Sequence, residues 1–206
     1  TSRYPIGFLW MILLVILMEF VLNHTKFGRY TIAIGSNKEA AALSGINVKF
    51  YHVMVYVVCG LFTGLAAIAY AAVTPTVQPG TGAGLEMDAI GGVFVGGVAA
   101  SGGYGSVVGT LVGIFVIMLL KTGLPYVGLQ ANWQQIITVM TKKKKSILSD
   151  QRFVVLLVII ALSAVFSFMS KEFRQYTTIL SMLDFSYYDL LMAIGVTFPL
   201  ITGGVD

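Results

Sequence analysis

The chain has 206 residues, of which 57% are hydrophobic and only 11% charged, and its mean hydropathy is +0.86. Soluble domains carry about 25% charged residues, so the composition excludes a soluble fold and points to a polytopic helical membrane protein. The formal net charge of +4 sits mainly in loops beside apolar runs, as membrane orientation requires, and gives no reason to expect a nucleic acid partner.

Apolar runs of about 18 residues or more can cross a ~30 Å hydrocarbon core as helix, and in lipid the helix satisfies its own backbone. Residues 6–22, 53–73, 89–120 and 153–170 form such runs; 190–205 is shorter and contains Gly195 and Pro199. The opening "TSRYP" lacks the charged and small-residue features of a cleavable signal peptide. Between the first two runs lie Lys26, Arg29, Lys38 and Lys49, so this loop is predicted to be cytoplasmic. His24 and His52 flank it as interface residues, and Glu19, near the cytoplasmic end of the first span, reads as a packing or ion-pair residue.

Within the loop, "IGSNKEAAALSGINVK" is polar and has its own start and stop. Ser36, Asn37, Lys38 and Glu39 fit a capping box, with the serine hydroxyl accepting from the Glu39 amide. Ala40, Ala41, Ala42 and Leu43 favour helix, and Gly45 after Ser44 suits the left-handed position that closes one. A helix over 37–44 is predicted. Two turns are marginal without partners, so it is either docked on another protein or an ordinary capped helix at the membrane surface.

The run 53–73 leads outward, and Cys59 within it has no second cysteine to pair with. In the following "TPTVQPGTGAGLEMD" the only charges are Glu86 and Asp88, consistent with the outer side. The tract 89–120 is too long for one span, and "SGGYGS" at 101–106 is predicted to turn it into two. Gly92-x-x-x-Gly96 and Gly109-x-x-x-Gly113 are small faces that let helices pack closely, or slide. "GTGAG" and "AIGSNK" lack the spacing of a dinucleotide fingerprint or a P-loop, so no nucleotide is expected on this chain.

"WQQIITVM" starts an inward helix with Trp133 as interfacial anchor, beside Gln134 and Gln135. Lys142 to Lys145 follow at once, where four buried ammonium groups would be costly. Met140 and Thr141 are therefore predicted not to be neighbours within one membrane helix. Asp184 and Asp189, near Tyr187 and Tyr188, suit an outer interfacial turn. At the end, "FPLITGGVD" is predicted to break its helix at Pro199 and at Gly203-Gly204. Broken helices recur at membrane binding sites, though a kink filled by water fits equally. No catalytic constellation is present in the sequence.

"FGRYTIAIGSNKEAAALSGINVKFYHVMVYVVCGLFTGLAA", "EMDAIGGVFVGGVAASGGYGSVVGTLVG" and "WQQIITV" resemble the C-terminal half of the sugar-type ABC importer permeases, the group containing ribose, arabinose, xylose and galactofuranose permeases. "KKKKSILSDQRFVVLLVIIALSAVF" with "YYDLLMAIGVTFPLITGGVD" resembles the N-terminal part of the same family, stopping inside its TGG-[IV]-D-L-S motif. Residues 1–140 thus match the C-terminal half and 141–206 the N-terminal spans, in swapped order and without the middle, which accounts for the lysines.

The resemblance implies an all-α polytopic membrane protein: a bundle of roughly 6–7 transmembrane helices with a short cytoplasmic coupling helix, in the bacterial inner membrane. It implies a transport subunit and not an enzyme, with ATP and magnesium bound by a partner ABC ATPase subunit. The other implied partners are a periplasmic or lipid-anchored sugar-binding protein, a second permease chain and membrane lipid. Ser36, Asn37, Lys38, Glu39, Ala40, Ala41, Ser44 and Gly45 would couple to the ATPase. Thr202, Gly203, Gly204 and Asp206, with Trp133 and Gln134, are candidates for the substrate pathway, since Thr202 and Asp206 can meet sugar hydroxyls. Related permeases move branched-chain amino acids or nucleosides; "SGGYGSVVGT", "WQQI" and "LITGGVD" lean to sugars. A non-transporting membrane fragment is the reading from a different class.

Overall fold

The computed structural model describes residues 6–74, 76–126, 159–164, 166, 173 and 175–203, where all regular structure is helical. Chain order gives α1 (Ile6–His24), α2 (Lys26–Ser36), α3 (Lys38–Leu43), α4 (Val48–Val73), α5 (Leu85–Val95), α6 (Val107–Tyr126) and α7 (Tyr176–Ile201). Among the described residues α4 and the Val107–Pro125 part of α6 are long and apolar enough to cross a membrane, and the bent pair α1–α2 makes a third if it is one span.

Helix α7 is the centre. It packs against α1, α4, α5 and α6, and Leu190, Ala193, Ile194, Thr197, Phe198 and Ile201 bury nearly all of its C-terminal half. The outer helices are one-sided, as helical periodicity dictates. Helix α1 turns Met11, Val15, Met18 and Leu22 inward and leaves Leu13, Ile16, Leu17 and Phe20 outside. Helix α4 buries Val55, Phe62 and Ala66 while Val53, Val57, Leu61 and Ile68 face out. Apolar side chains outside and small or mixed ones inside are the arrangement a lipid solvent permits.

The first correction to the sequence reading concerns the loop after α1. It is mostly helix, because Thr25 restarts the chain: its hydroxyl donates to the Val21 carbonyl at 2.6 Å and accepts from the Gly28 amide at 3.3 Å. The new helix leaves at 67° to the old one. Thr31 and Ile34 then anchor α2 in the core, outweighing the polarity of Lys26 and Arg29.

The second concerns 89–120, which is not two full spans. Eleven residues of α5 reach ~16 Å at 1.5 Å per residue, about half the hydrocarbon thickness. The helix stops because Gly97 takes φ 97°, and the Gly97 and Val98 amides bond back to the Phe94 and Val93 carbonyls. A side chain there would oppose that backbone geometry. The chain from 96 to 106 then runs irregularly before α6: Gly96, Val98 and Ser106 are buried, while Ala100, Ser101 and Tyr104 at its tip are exposed.

The two glycine faces meet each other. A Cβ on Gly113 would lie 2.0 Å from the Gly92 carbonyl oxygen, and one on Gly96 would lie 2.3 Å from that of Gly109. Beside them the buried hydroxyls of Thr110 and Thr197 join α6 to α7 at 2.9 Å. Third, Pro199 does not break α7. It forgoes the bond its amide would make to the Gly195 carbonyl one turn back, yet the helix runs on to Ile201 before Gly203 turns the chain at φ 75°.

Gly113→Ala is expected to destabilise the bundle by about 1–3 kcal/mol, the usual cost of overpacking. Gly60→Ala, where an added methyl meets nothing within 4 Å, should stabilise α4 by about 0.5–1 kcal/mol. Thermal unfolding of the two variants in detergent should move in opposite directions.

Candidate functional site

Helix α3 is defined by its caps. Ser36 is still the last residue of α2, so the capping role falls one residue later than the sequence suggested. The Asn37 side-chain oxygen accepts from the Ala40 amide at 2.9 Å, while the Asn37 amide closes α2 on the Ala33 carbonyl at 3.1 Å. One extended residue thus ends one helix and begins the next. At the far end the Gly45 and Ile46 amides bond back to the Ala42 and Ala41 carbonyls, with Gly45 at φ 82°, the Schellman arrangement. Ser44 adds a hydroxyl bond to the Ala40 carbonyl at 2.9 Å, and Asn47 caps α4 through the Phe50 amide.

Six residues cannot hold a helix alone, and the bundle contributes little packing. Of α3, Ala41 alone is buried, at 5% exposure; Lys38, Glu39, Ala40 and Ala42 are exposed, and Leu43 reaches 89%. Leu43 was not singled out in the sequence because a leucine in a helix-forming run usually marks the inner face.

Immediately behind α3 three segments touch backbone to backbone. The Gly103 amide donates to the Ile201 carbonyl at 2.7 Å. A Cβ on Gly35 would lie 1.8 Å from that same oxygen, and one on Gly102 would lie 2.8 Å from the Gly203 nitrogen. The hinge of α3, the 99–106 turn and the end of α7 therefore share one contact. Nearby, the Glu19 carboxylate accepts from the Val107 amide at 2.7 Å and the Val108 amide at 3.2 Å. It caps α6 from another helix, answering amides that would otherwise be orphaned at a positive helix end.

Toward the other end of the bundle lies a second polar group. Lys121 on α6 forms an ion pair with Asp88 in the first turn of α5. Tyr187 donates to the Ala69 carbonyl at 2.6 Å, and Tyr188 packs edge-on against Tyr70 with centroids 4.9 Å apart. Asp189 is not in an interfacial turn, because α7 runs unbroken from Tyr176 and carries it into the bundle. It is 1% exposed, and neither carboxyl oxygen has a hydrogen-bond partner among the described residues.

The pathway candidates are distributed differently. Thr202 is buried and donates to the Pro199 carbonyl at 2.8 Å, so its hydroxyl proton is engaged within its own helix end. Gly203 lies at the three-segment contact. Trp133, Gln134, Gly204, Asp206 and the 140–141 junction lie outside the described residues.

A one-sided helical bundle around a buried α7, with a capped polar helix left outside it, has the form of a membrane-embedded helical protein. The chain belongs to the family described as branched-chain amino acid transport system, permease component, whose profile matches residues 2–141. Within it the similarity is to sugar permeases. The chain is 41% identical over 129 residues to the ribose import permease protein RbsC of Escherichia coli K12, covering 62% of this chain and 40% of that protein. It is 38% identical over 149 residues to RbsC of Bacillus subtilis (69% and 46%) and 35% over 130 residues to the fructose import permease protein FrcC of Rhizobium meliloti (63% and 36%). The matches thus span less than half the length of these relatives. No solved structure matches the chain.

Glu19→Ala is expected to cost about 1–2 kcal/mol in thermal unfolding, the range for a lost cap. Asn37→Ala should cost α3 a similar amount while leaving the bundle unchanged. Amide hydrogen exchange would show this as faster exchange confined to α3.

Proposed function

We propose that this chain forms part of the permease of an ATP-driven bacterial importer of monosaccharides, built into the inner membrane. The observation that carries the proposal is the exposed α3, with Leu43 at 89% exposure and its hinge against the end of the central helix. Such a helix suits a groove in a cytoplasmic ATPase subunit, which binds ATP and magnesium. Leu43 would enter the groove, with Lys38, Glu39, Ala40 and Ser44 at its rim. Ala41 faces the bundle and would transmit the push.

As the ATPase subunits close, displacement of α3 passes through Asn37 and Gly35 to the Ile201 carbonyl and the 99–106 turn. Helix α7 and the α5–α6 pair are displaced relative to one another, and the bundle changes the side to which it opens. A sugar-binding protein, periplasmic or lipid-anchored, delivers substrate, and a second permease chain completes the pathway. This chain carries roughly 6–7 spans, with residues 141–206 as N-terminal spans and 1–140 in the C-terminal half of the permease. The sugar assignment is supported by relatives named for ribose and fructose import; the family description, naming branched-chain amino acids, supplies the second reading.

Two measurements test this. In the full-length permease with its ATPase, Leu43→Asp should lower substrate-stimulated ATPase activity about tenfold or more, as losing a buried apolar anchor does. Yield and unfolding temperature should hold, because Leu43 touches little of its own chain. Unchanged stimulation in that variant would remove α3 from coupling. Separately, with Cys59 replaced by alanine, a cysteine at 82 should react with an impermeant thiol reagent from outside, and one at 37 only from inside. Position 123, which the sequence placed in an outer loop, is buried within α6 against Phe166 and is not a labelling site. Labelling of position 37 from outside would reverse the orientation.

A further inference from the structure

Among the described residues, polar side chains along α7 such as Ser186, Tyr187 and Thr197 are satisfied, and Asp189 is not. Ser186 donates to the Leu183 carbonyl, Tyr187 to the Ala69 carbonyl and Thr197 to the Ala193 carbonyl. Asp189 has both oxygens buried and unpartnered among the described residues. A carboxyl without partners is among the most expensive groups to bury, and an ionisable side chain inside a membrane bundle is by default a functional group. For folding alone, a leucine would serve better.

Its neighbours say what it takes. Asp189 lies within electrostatic range of both Lys121 and Asp88, so α5, α6 and α7 each bring one charged side chain to one place. That place is about 18 Å up the helix from Ile201 at 1.5 Å per residue, away from the ATPase-facing end. Burial is graded: the Lys121 side chain is 35% exposed and that of Asp88 14%, with Asp189 behind them. The cluster holds two carboxyls against one ammonium, and that ammonium is already paired. Among the described residues it therefore offers acceptors in excess and no unneutralised cation to hold a ligand carboxylate. Two adjacent carboxylate oxygens can accept from two hydroxyls at once, and a sugar presents such hydroxyls in vicinal pairs.

We infer that Asp189, flanked by the Lys121–Asp88 pair, is a binding station for the vicinal hydroxyls of a neutral monosaccharide on its way through the bundle. The station is closed in this structure and opens when the α5–α6 pair separates from α7. The inference rests on the sugar-permease proposal and gives that pathway a specific residue.

The test uses the full-length permease in proteoliposomes with its ATPase and sugar-loaded binding protein, with D-ribose, D-fructose and D-galactose as probes. Failure of the unmodified protein to move any of the three would defeat the sugar-permease proposal and this station with it. Given transport by the unmodified protein, Asp189→Leu should reduce uptake about ten- to a hundredfold, the range for losing a hydrogen bond to a charged group. Its unfolding temperature should stay level or rise, since an orphaned carboxyl is gone. A structural role would move stability and uptake down together, and that result would overturn the inference. So would uptake by Asp189→Leu within about twofold of the unmodified protein, below the effect of any lost charged hydrogen bond. Should the leucine variant fail to insert, Asp189→Asn, which keeps the size but not the charge, is held to the same criteria.

Discussion

A single backbone hydrogen bond organises the end of the molecule that carries α3. The Gly103 amide donates to the Ile201 carbonyl, one of the carbonyls a helix end leaves without an intrahelical partner. That bond draws an irregular turn under the central helix, where the backbone can pack only because Gly35, Gly102 and Gly103 have no side chains to keep it away. The rest is built to that contact. Helix α5 stops halfway because the chain must reach it, α6 begins just after it and needs Glu19 to accept its first amides, and α2 ends against it.

Helix α3 is the opposite in character. Its backbone is held by caps at both ends, and its side chains, Ala41 apart, have almost nothing of their own chain to pack on. The bundle gives it a position without giving it a partner. Because Asn37 serves α2 and α3 together, no slack linker separates an exposed helix from a tightly packed core. A force on the exposed part is therefore delivered to backbone and not absorbed by loop.

Much of this was legible from residues alone, and the failures have physical causes. Helices α1 and α4 follow from hydropathy, and the stop at Gly45 from its chemistry. That Gly92, Gly96, Gly109 and Gly113 form close-packing faces follows from spacing, but that the two faces meet each other is a property of the bundle. The cap moved from Ser36 to Asn37 because both residues cap well; the choice depends on how far α2 extends, which buried Thr31 and Ile34 decide. Helix α2 was missed because two basic residues outweighed a threonine cap whose effect is local. The shortness of α5 depends on the left-handed backbone at Gly97, to which hydropathy is blind. Asp189 looked interfacial beside two tyrosines because its burial is made by α7 together with helices far away in the sequence. The burial of its carboxyl without a partner among the described residues, like the exposure of Leu43, is a property of the assembled bundle.

The shortness of α5 also bears on how the protein enters the membrane. Insertion machinery admits segments long and apolar enough to leave water unaided, and α4 and α6 meet that standard. Helix α5 does not: it covers half the thickness and bears Glu86 and Asp88 in its first turn. Yet α5 is synthesised before α6. It must wait at the lipid surface and go in as the passenger of α6, zipped along the glycine faces, with Asp88 neutralised once Lys121 comes alongside. The ion pair then acts as a latch on a hairpin that neither helix could complete alone.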